Sequence, residues 1–116
     1  HYKLDNFCAI IDNNGLQIDG DVAKVMNPYP IAEKLRAFGF AVAEIDGNDF
    51  DQLEAAFTLA RGTKGVPFAI VMKTVKGKGV SYMENNAGWH GKAPNDEEYE
   101  TAMKELRAQL AEVEAM

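Results

Sequence analysis

The sequence has few of the features that mark secreted or membrane proteins. It holds a single cysteine, Cys8, in 116 residues, and one cysteine cannot form an internal disulfide. The first residues, His1 to Asp5, show no secretory pattern, and no apolar run is long enough to span a bilayer. A reducing cytoplasm is therefore the expected compartment, with no membrane partner. Because Cys8 lies inside an apolar run, we expect it to be buried.

Basic residues are also scarce. The chain has 12 lysines and arginines against 18 acidic residues, a formal net charge of −6, whereas nucleic-acid-binding domains carry a basic footprint. We therefore expect no nucleic-acid partner. The apolar fraction of 47% is usual for a globular domain, and the length fits one small domain or part of a larger one. The abrupt start at His1 suggests a processed chain or a fragment.

What the sequence does contain is an alternation of strands and helices. Continuous apolar runs predict strands buried on both faces at 7–11 and 68–72, with a further strand at 40–45. Apolar residues at helical spacing predict helices between them. The helices are expected at 22–26, at 30–38 with Ile31, Leu35 and Phe38 on one face, and from a cap at Asn48 or Asp49 to Gly62 with Phe50, Leu53, Phe57 and Ala60 on one face.

This order of elements implies an α/β fold, a parallel sheet with flanking helices. Ligands on such sheets bind beyond the carboxyl ends of the strands. Two segments, Asp12–Asn14 and Lys73–Gly79, each follow a predicted strand directly. We therefore expect both segments to open on the same edge of the sheet.

The stretch 73–95 lacks a clear period and holds four glycines and Pro94. A loop this long is usually functional or disordered. Asn95 and Glu98 then have capping-box spacing for a long terminal helix. The apolar stripe of this helix is expected to be a packing face, with a seam for a partner helix as the alternative. The stripe consists of Tyr99, Met103, Leu106, Leu110 and Val113.

The segment IDNNGLQIDG, residues 11–20, has two interpretations. Asn14-Gly15 is a strong hairpin signal, but the stretch before Asp19-Gly20 is short for a stable hairpin. Alternatively, the Asn14 side-chain oxygen is a neutral hard ligand suited to magnesium or calcium, and a nearby backbone carbonyl could supply a second oxygen. A carboxylate would normally complete the protein's share. Asp12 is a candidate, although it could equally form a cap or a turn.

Two further features of the glycine-rich stretch carry chemistry. Lys76-Gly77-Lys78-Gly79 combines positive charge with little bulk and could approach a phosphate. It is not a Walker P-loop, and a solvated basic turn is the alternative. His90, in Gly88-Trp89-His90-Gly91, could exchange a proton near neutral pH, and an ordinary surface histidine is the alternative.

Together, "IDNNGLQIDG", "KTVKGKGVSYMENNAGWHGKAPNDEE" and the order of elements between them resemble the transketolase family, in particular the N-terminal subunit of split, two-chain transketolases. That family transfers a two-carbon ketol unit between sugar phosphates, using thiamin diphosphate held through magnesium. The resemblance implies a partial thiamin diphosphate-binding fold, with residues 1–116 as the C-terminal portion of the diphosphate-binding domain. It also implies a partner, the C-terminal, pyrimidine-binding subunit, with two such pairs forming a dimer.

The resemblance assigns roles to five residues. It implies that Asn14 ligates the magnesium through its side chain and that Leu16 does so through its backbone carbonyl. Ile18 corresponds to a position that packs against the rings of the cofactor. His90 corresponds to a histidine near the diphosphate and the substrate, which makes it the candidate catalytic residue. Lys76 is assigned to the cofactor by its similarity to lysines of the related deoxyxylulose-phosphate synthases.

The sequence lacks two features of the family pattern. The Gly-Asp-Gly motif that supplies the magnesium carboxylate in the family is absent. The pair Asp19-Gly20 does not replace it, because it follows the asparagine pair instead of preceding it. The glutamate that activates the cofactor, on the pyrimidine-binding domain, is absent too. The parent protein is therefore expected to catalyse ketol transfer, as in the pentose phosphate pathway, and this piece alone to be inactive. A 1-deoxyxylulose-5-phosphate synthase-like enzyme and a non-catalytic assembly module of the same fold are the alternatives.

Overall fold

A parallel three-stranded sheet with flanking helices forms the centre of the molecule, which confirms the predicted α/β fold. The computed structural model describes all residues, 1–116. In chain order the elements are β1 (Cys8–Asn13), β2 (Leu16–Gln17), β3 (Gly20–Asp21), α1 (Val22–Val25), α2 (Ile31–Ala37), β4 (Ala41–Asp46), α3 (Phe50–Gly62), β5 (Phe68–Lys73) and α4 (Asp96–Glu114). The strand order in the main sheet is β1-β5-β4.

The central strand β5 supplies most of the core. It pairs in parallel with β1 on one side and β4 on the other, so that Ile70 lies beside Ile10 and Ala43. The side chain of Ile70 is fully buried, and Phe68 and Ala56 pack with it. Full burial of a side chain of this size contributes about 1.5–3 kcal/mol. In this register the three strands end side by side, with Lys73 of β5 between Asn13 of β1 and Asp46 of β4.

The first strand lies at the edge of the sheet and is not buried on both faces as its apolar run predicted. Its residues alternate between exposed and half-buried, and Ile10 is 51% exposed. Cys8 is exposed as well, so the expectation of a buried cysteine was wrong. The physical reason is that α2 and α3 pack against β4 and β5 instead of covering β1. Partial desolvation nevertheless raises the pKa of the Cys8 thiol.

The helices lie where they were predicted, and their predicted faces are partly buried. Ile31, Leu35, Leu53 and Ala60 are half-buried, and Ala60 packs against the core. The buried residue of α2 is Ala32, and that of α3 is Ala56. Phe38 and Phe50, expected on the packed faces, are 80% and 86% exposed. Both phenylalanines lie at a helix end, where fewer neighbours surround a side chain than in the middle of a helix.

The start of α3 settles which of two candidates is its cap. Asp49 is the N-cap, accepting hydrogen bonds from the N–H groups of Asp51 and Gln52. A bond from the Gln52 side chain is the main cause of the lowered pKa of Asp49. Asn48 instead accepts a hydrogen bond from the Val75 N–H at 3.1 Å. This bond ties the beginning of α3 to the segment that follows β5.

A hairpin exists, but not at the Asn14-Gly15 signal. β2 and β3 pair antiparallel, with Leu16 beside Asp21 and the two residues Ile18-Asp19 at the tip. Asn14-Gly15 instead forms the bend between β1 and this small hairpin. The hairpin interpretation of Asn14-Gly15 is therefore wrong, and the bend remains free to serve a ligand.

The terminal helix α4 begins as predicted, with a capping box between Asn95 and Glu98. Its one buried residue is Ala102, whereas most of the apolar stripe is exposed: Tyr99, Leu106, Leu110 and Val113. The expectation that this stripe packs within the chain was wrong, because α4 contacts residues 79–82 through polar bonds instead. No helix combines the length and the apolar character needed to cross a membrane.

Candidate functional site

The two segments that were expected to share an edge of the sheet do so. Asn13 at the end of β1 lies beside Lys73 at the end of β5, and the Thr74 N–H donates to the Asn13 carbonyl at 3.3 Å. The Thr74 hydroxyl also donates to the Asp12 carboxylate. The chain therefore leaves both strands side by side, at the edge where ligands bind in parallel sheets.

Asn14 is held in place by a local turn. Its side-chain Oδ1 accepts a hydrogen bond from the Leu16 N–H at 2.9 Å, which is an Asx turn. Gly15 between them has a φ of +75°, a conformation that glycine adopts at little cost. An amide oxygen has two lone pairs, so this bond orients Oδ1 and leaves capacity for a ligand.

One cavity of about 460 Å³ brings together the five residues to which the family resemblance assigned roles. Its lining consists of Asn14, Leu16, Gln17, Ile18, Asp19, Lys76 and His90. We call residues 14–19 the strand wall, because they continue from β1. We call Lys76 and His90 the loop wall, because they lie in the long segment between β5 and α4. Ile18 at the hairpin tip is 68% exposed, which leaves an apolar side chain open to a ligand.

The two lysines of the glycine-rich turn have different surroundings. The Lys78 ammonium lies 3.7 Å from the Glu84 carboxylate, which also accepts the Gly79 N–H at 2.9 Å. Lys76 has no such ion pair and lines the cavity, while its carbonyl accepts the Asn85 N–H at 3.0 Å. Lys76 is therefore the cation that an anionic ligand in the cavity would meet.

His90 follows a short 3-10 turn at Ala87–Trp89. Asn86 caps this turn by accepting the Gly88 N–H at 2.9 Å, and the His90 N–H donates to the Ala87 carbonyl at 2.9 Å. These bonds fix the backbone at His90. Its imidazole is exposed and forms no hydrogen bond within the chain, so it is available to a ligand in the cavity.

A second cavity, of about 620 Å³, opens on the other side of Asn14. Its lining includes Asn13 and Tyr29, whose hydroxyl donates to the Asn13 side chain at 3.0 Å. Asp12 lines neither cavity, because its carboxylate accepts the Thr74 hydroxyl. The structure thus gives Asp12 the role of linking two strand ends, and not that of the metal carboxylate considered above.

A family profile described as "Transketolase, thiamine diphosphate binding domain" matches residues 1–112. The chain belongs to the transketolase family. The resemblance read from the two sequence motifs is thereby confirmed. The matched part of the family is its thiamine diphosphate-binding domain, which agrees with the position of the cavity at the carboxyl ends of parallel strands.

Relatives in this family match nearly the whole chain. It is 40% identical over 113 residues to an apulose-4-phosphate transketolase subunit of Phocaeicola vulgatus, covering 97% of this chain and 40% of that protein. It is 35% identical over 109 residues to a 6-deoxy-6-sulfo-D-fructose transketolase subunit of a Clostridium species, covering 94% and 40%. The transketolase structure from Campylobacter jejuni has a TM-score of 0.79 at 33% identity, covering 88% and 16%. The chain spans about 40% of the length of these two curated relatives.

Two lining residues, Gln17 and Asp19, were not predicted for this transketolase-family site. The sequence analysis considered Asp19 only together with Gly20, as the pair that follows the Asn14-Gly15 signal. The signal that could have found it is its place in the same short segment as Asn14. At the tip of the β2–β3 hairpin, Asp19 adds a carboxylate to the strand wall.

The side chains of the cavity fit a magnesium-bound diphosphate in part. The Asn14 amide oxygen and the Leu16 carbonyl are neutral oxygen donors, of the kind that magnesium takes together with phosphate oxygens and a carboxylate. Lys76 supplies a positive charge for phosphate. However, no group of three or more His, Cys, Asp or Glu side chains in the chain could hold a metal ion. The residues present could therefore supply some of the oxygen ligands of such an ion, and not a complete set.

Proposed function

We propose that this chain is the diphosphate-holding part of a transketolase that depends on thiamin diphosphate and magnesium and transfers a two-carbon ketol unit between sugar phosphates. The observation that carries the proposal is the single cavity lined by Asn14, Leu16, Ile18, Lys76 and His90. Membership of the family supports it. We further propose that residues 1–116 are the C-terminal portion of the diphosphate-binding domain.

In this proposal the strand wall holds the metal and the rings of the cofactor. Asn14 and the Leu16 carbonyl contribute neutral oxygens to magnesium, so the ion keeps enough positive charge to neutralise a diphosphate. Ile18 supports the rings from the hairpin tip. The bound cofactor supplies the carbanion chemistry, while the protein orients it and excludes competing reactions.

The loop wall has two roles in this proposal, binding phosphate and transferring a proton. Lys76 binds a phosphate oxygen through its ammonium group. His90 hydrogen-bonds to phosphate or to a substrate hydroxyl and moves a proton there, since imidazole titrates near neutral pH. An exposed imidazole without a partner in the chain is suited to both roles.

Further residues must complete the site, and we propose that they come from the rest of the parent polypeptide and from a second, pyrimidine-binding subunit. The support is that relatives are named as transketolase subunits and that the chain covers about 40% of their length. A dimer of such pairs is the proposed assembly, with this piece alone inactive. The single, unpaired cysteine supports a cytoplasmic location.

The first test uses the complete polypeptide that carries this chain, assembled with its partner. Asn14→Ala is expected to weaken magnesium-dependent binding of thiamin diphosphate about tenfold or more, because a ligand oxygen is lost. Calorimetry measures the affinity, and Asn6→Ala, an exposed asparagine outside the cavity, is the matched control. Unchanged affinity in Asn14→Ala would remove this residue from the metal shell.

The same preparation discriminates between reactions. Ketol transfer from xylulose 5-phosphate to ribose 5-phosphate is the expected activity, and the names of the relatives add apulose 4-phosphate and 6-deoxy-6-sulfo-D-fructose as donors to try. Pyruvate accepted as a donor would favour the deoxyxylulose-phosphate synthase alternative, which Lys76 motivates. Tight cofactor binding with no turnover of any donor would favour a non-catalytic module.

A further inference from the structure

Trp89, directly before His90, is held by three contacts. Its indole N–H donates to the Tyr82 carbonyl at 3.0 Å. Its ring packs on the Tyr82 ring, with centroids 5.1 Å apart. The Lys92 ammonium lies 4.0 Å from the centroid of the indole, which is a cation–π contact. Trp89, Tyr82 and Lys92 do not line the cavity that holds His90, so their contacts act on the loop itself.

These contacts continue to the start of α4. The Lys92 ammonium lies 3.1 Å from the Glu98 carboxylate, and the Tyr82 hydroxyl donates to the Glu98 carbonyl at 2.7 Å. Glu98 is itself fixed, because it closes the capping box with Asn95. The Asn95 N–H is the main cause of the lowered pKa of the Glu98 carboxyl, which keeps it charged beside Lys92. The N-terminus of α4 thus supports the loop through Trp89.

The cavity side of the same loop has much weaker support. The imidazole of His90 has no hydrogen bond within the chain, and its backbone is fixed only by the three-residue turn Ala87–Trp89. A single 3-10 turn has poor hydrogen-bond geometry and little stability of its own. The position of the imidazole therefore depends on the anchored residue next to it.

We propose that Trp89 is a positioning residue, and that its contacts with Tyr82 and Lys92 hold the loop against α4 so that His90 faces the cavity. This inference rests on the proposed function, in which His90 contacts the diphosphate or the substrate. A displacement of about 1 Å at a reacting group can lower a rate about a hundredfold. A residue that touches no ligand can therefore control turnover.

The test compares the assembled enzyme as wild type, Trp89→Ala, Trp89→Phe and Lys92→Met. Trp89→Phe keeps an aromatic ring and removes the N–H donor, while Lys92→Met keeps the stem and removes the charge. Tyr99→Ala and Lys104→Met are matched controls on α4 that have no contact with Trp89. The first readout is the rate at which diethyl pyrocarbonate modifies His90, measured by peptide mass spectrometry with and without magnesium and inorganic diphosphate. The second is kcat/KM.

Diphosphate is expected to protect His90 in the wild type and in both controls. Protection should fall about tenfold in Trp89→Ala, and by less in the two milder variants, whose unfolding midpoints should match the wild type. When His90→Asn is already present, adding Trp89→Ala should lower kcat/KM little further, because both changes remove the same interaction.

Three results would overturn the inference. Wild-type protection in Trp89→Phe and Lys92→Met alike would show that these contacts do not position His90, and the two variants keep the test valid if Trp89→Ala does not fold. Additive losses in the double variant with His90→Asn would show that Trp89 acts elsewhere. Absence of protection in the wild type would overturn the proposed function, and this inference with it.

Discussion

The two walls of the cavity are built in different ways. The strand wall, residues 14–19, continues from β1 and is fixed by bonds between near neighbours, namely the Asx turn of Asn14 and the β2–β3 pairing. The loop wall, Lys76 and His90, belongs to a segment held by bonds to α4. Two of these bonds join residues 24 and 30 positions apart, from Ser81 to Glu105 and from Gln109 to Gly79.

The loop wall depends more than the strand wall on contacts with a distant part of the chain. Once β1 is paired with β5, short-range bonds are sufficient to shape the strand wall. The loop wall has short-range bonds too, but its segment is also attached to α4 through residues 79–82. We therefore expect substitutions and solvent changes to disturb the loop wall more easily than the strand wall. The predictions below test that difference.

The largest effect is expected from substituting a glycine in the strand wall, Gly15, and a glycine beside the loop wall, Gly77. Gly15 and Gly77 have nearly the same φ, +75° and +74°, so alanine costs about 1–2 kcal/mol at either position for the left-handed backbone alone. An added Cβ at Gly15 meets no atom within 4 Å, whereas at Gly77 it would lie 2.7 Å from the Met83 carbonyl oxygen and Cβ.

Gly77→Ala should therefore destabilise the protein by about 3 kcal/mol or more, and Gly15→Ala by about 1–2 kcal/mol. Denaturant unfolding at equilibrium measures both values. Because Gly77 follows Lys76, its substitution should also weaken binding of inorganic diphosphate. Equal costs at the two glycines would show that the loop wall yields freely around Met83.

Local features of the fold could be predicted from the sequence. The individual strands and helices and the capping box of Asn95 and Glu98 follow from spacing and turn chemistry within a few residues. The parallel sheet and its shared edge follow from the alternation of these elements along the chain. The five candidate site residues came from a resemblance between motifs, and the fold then placed them in one cavity. Nearby residues decide the individual elements and their caps, so a single sequence contains enough information about those.

The burial of individual side chains could not be predicted, because it depends on which helix or strand packs over them. The sequence pattern predicted burial for three apolar residues that the structure shows exposed: Cys8, Phe38 and Phe50. An apolar pattern shows what can be covered and not what covers it. The anchor at Trp89 escaped the sequence analysis for a related reason, because its partners Tyr82 and Lys92 lie on either side of a turn whose course the sequence does not specify.

A smaller effect should distinguish the two lysines near the loop wall. Lys76→Met is expected to weaken binding of inorganic diphosphate about tenfold, the equivalent of one charge-assisted hydrogen bond. Lys78→Met should change it little, because the Lys78 ammonium lies 3.7 Å from Glu84 and outside the cavity. Calorimetry of the assembled enzyme with magnesium present measures both. A larger loss in Lys78→Met would mean that the phosphate binds on the other side of the glycine-rich turn.

The smallest effect is expected from acid, which should loosen the loop wall first. The pKa values of Glu98 and Glu105 lie below their ordinary value of 4.5, chiefly because Glu98 accepts the Asn95 N–H and Glu105 accepts the Ser81 hydroxyl. Carboxyls with a lowered pKa stabilise the folded state fully above their ordinary value. This contribution is lost as the pH falls through their folded-state pKa values, so the attachment of the loop to α4 weakens below pH 4.5.

Trp89 reports on this change, because it is the only tryptophan of the chain and is half-buried beside Tyr82. In an acid titration its emission should move to longer wavelength while the far-ultraviolet circular dichroism stays nearly constant. Glu98→Gln should show a smaller shift, and Glu100→Gln, an exposed neighbour without a bond to the loop, should titrate like the wild type. Identical titrations in all three proteins would mean that aromatic packing, and not the carboxylates, attaches the loop wall to α4. The two walls would then differ in the range of their contacts but not in their sensitivity to pH.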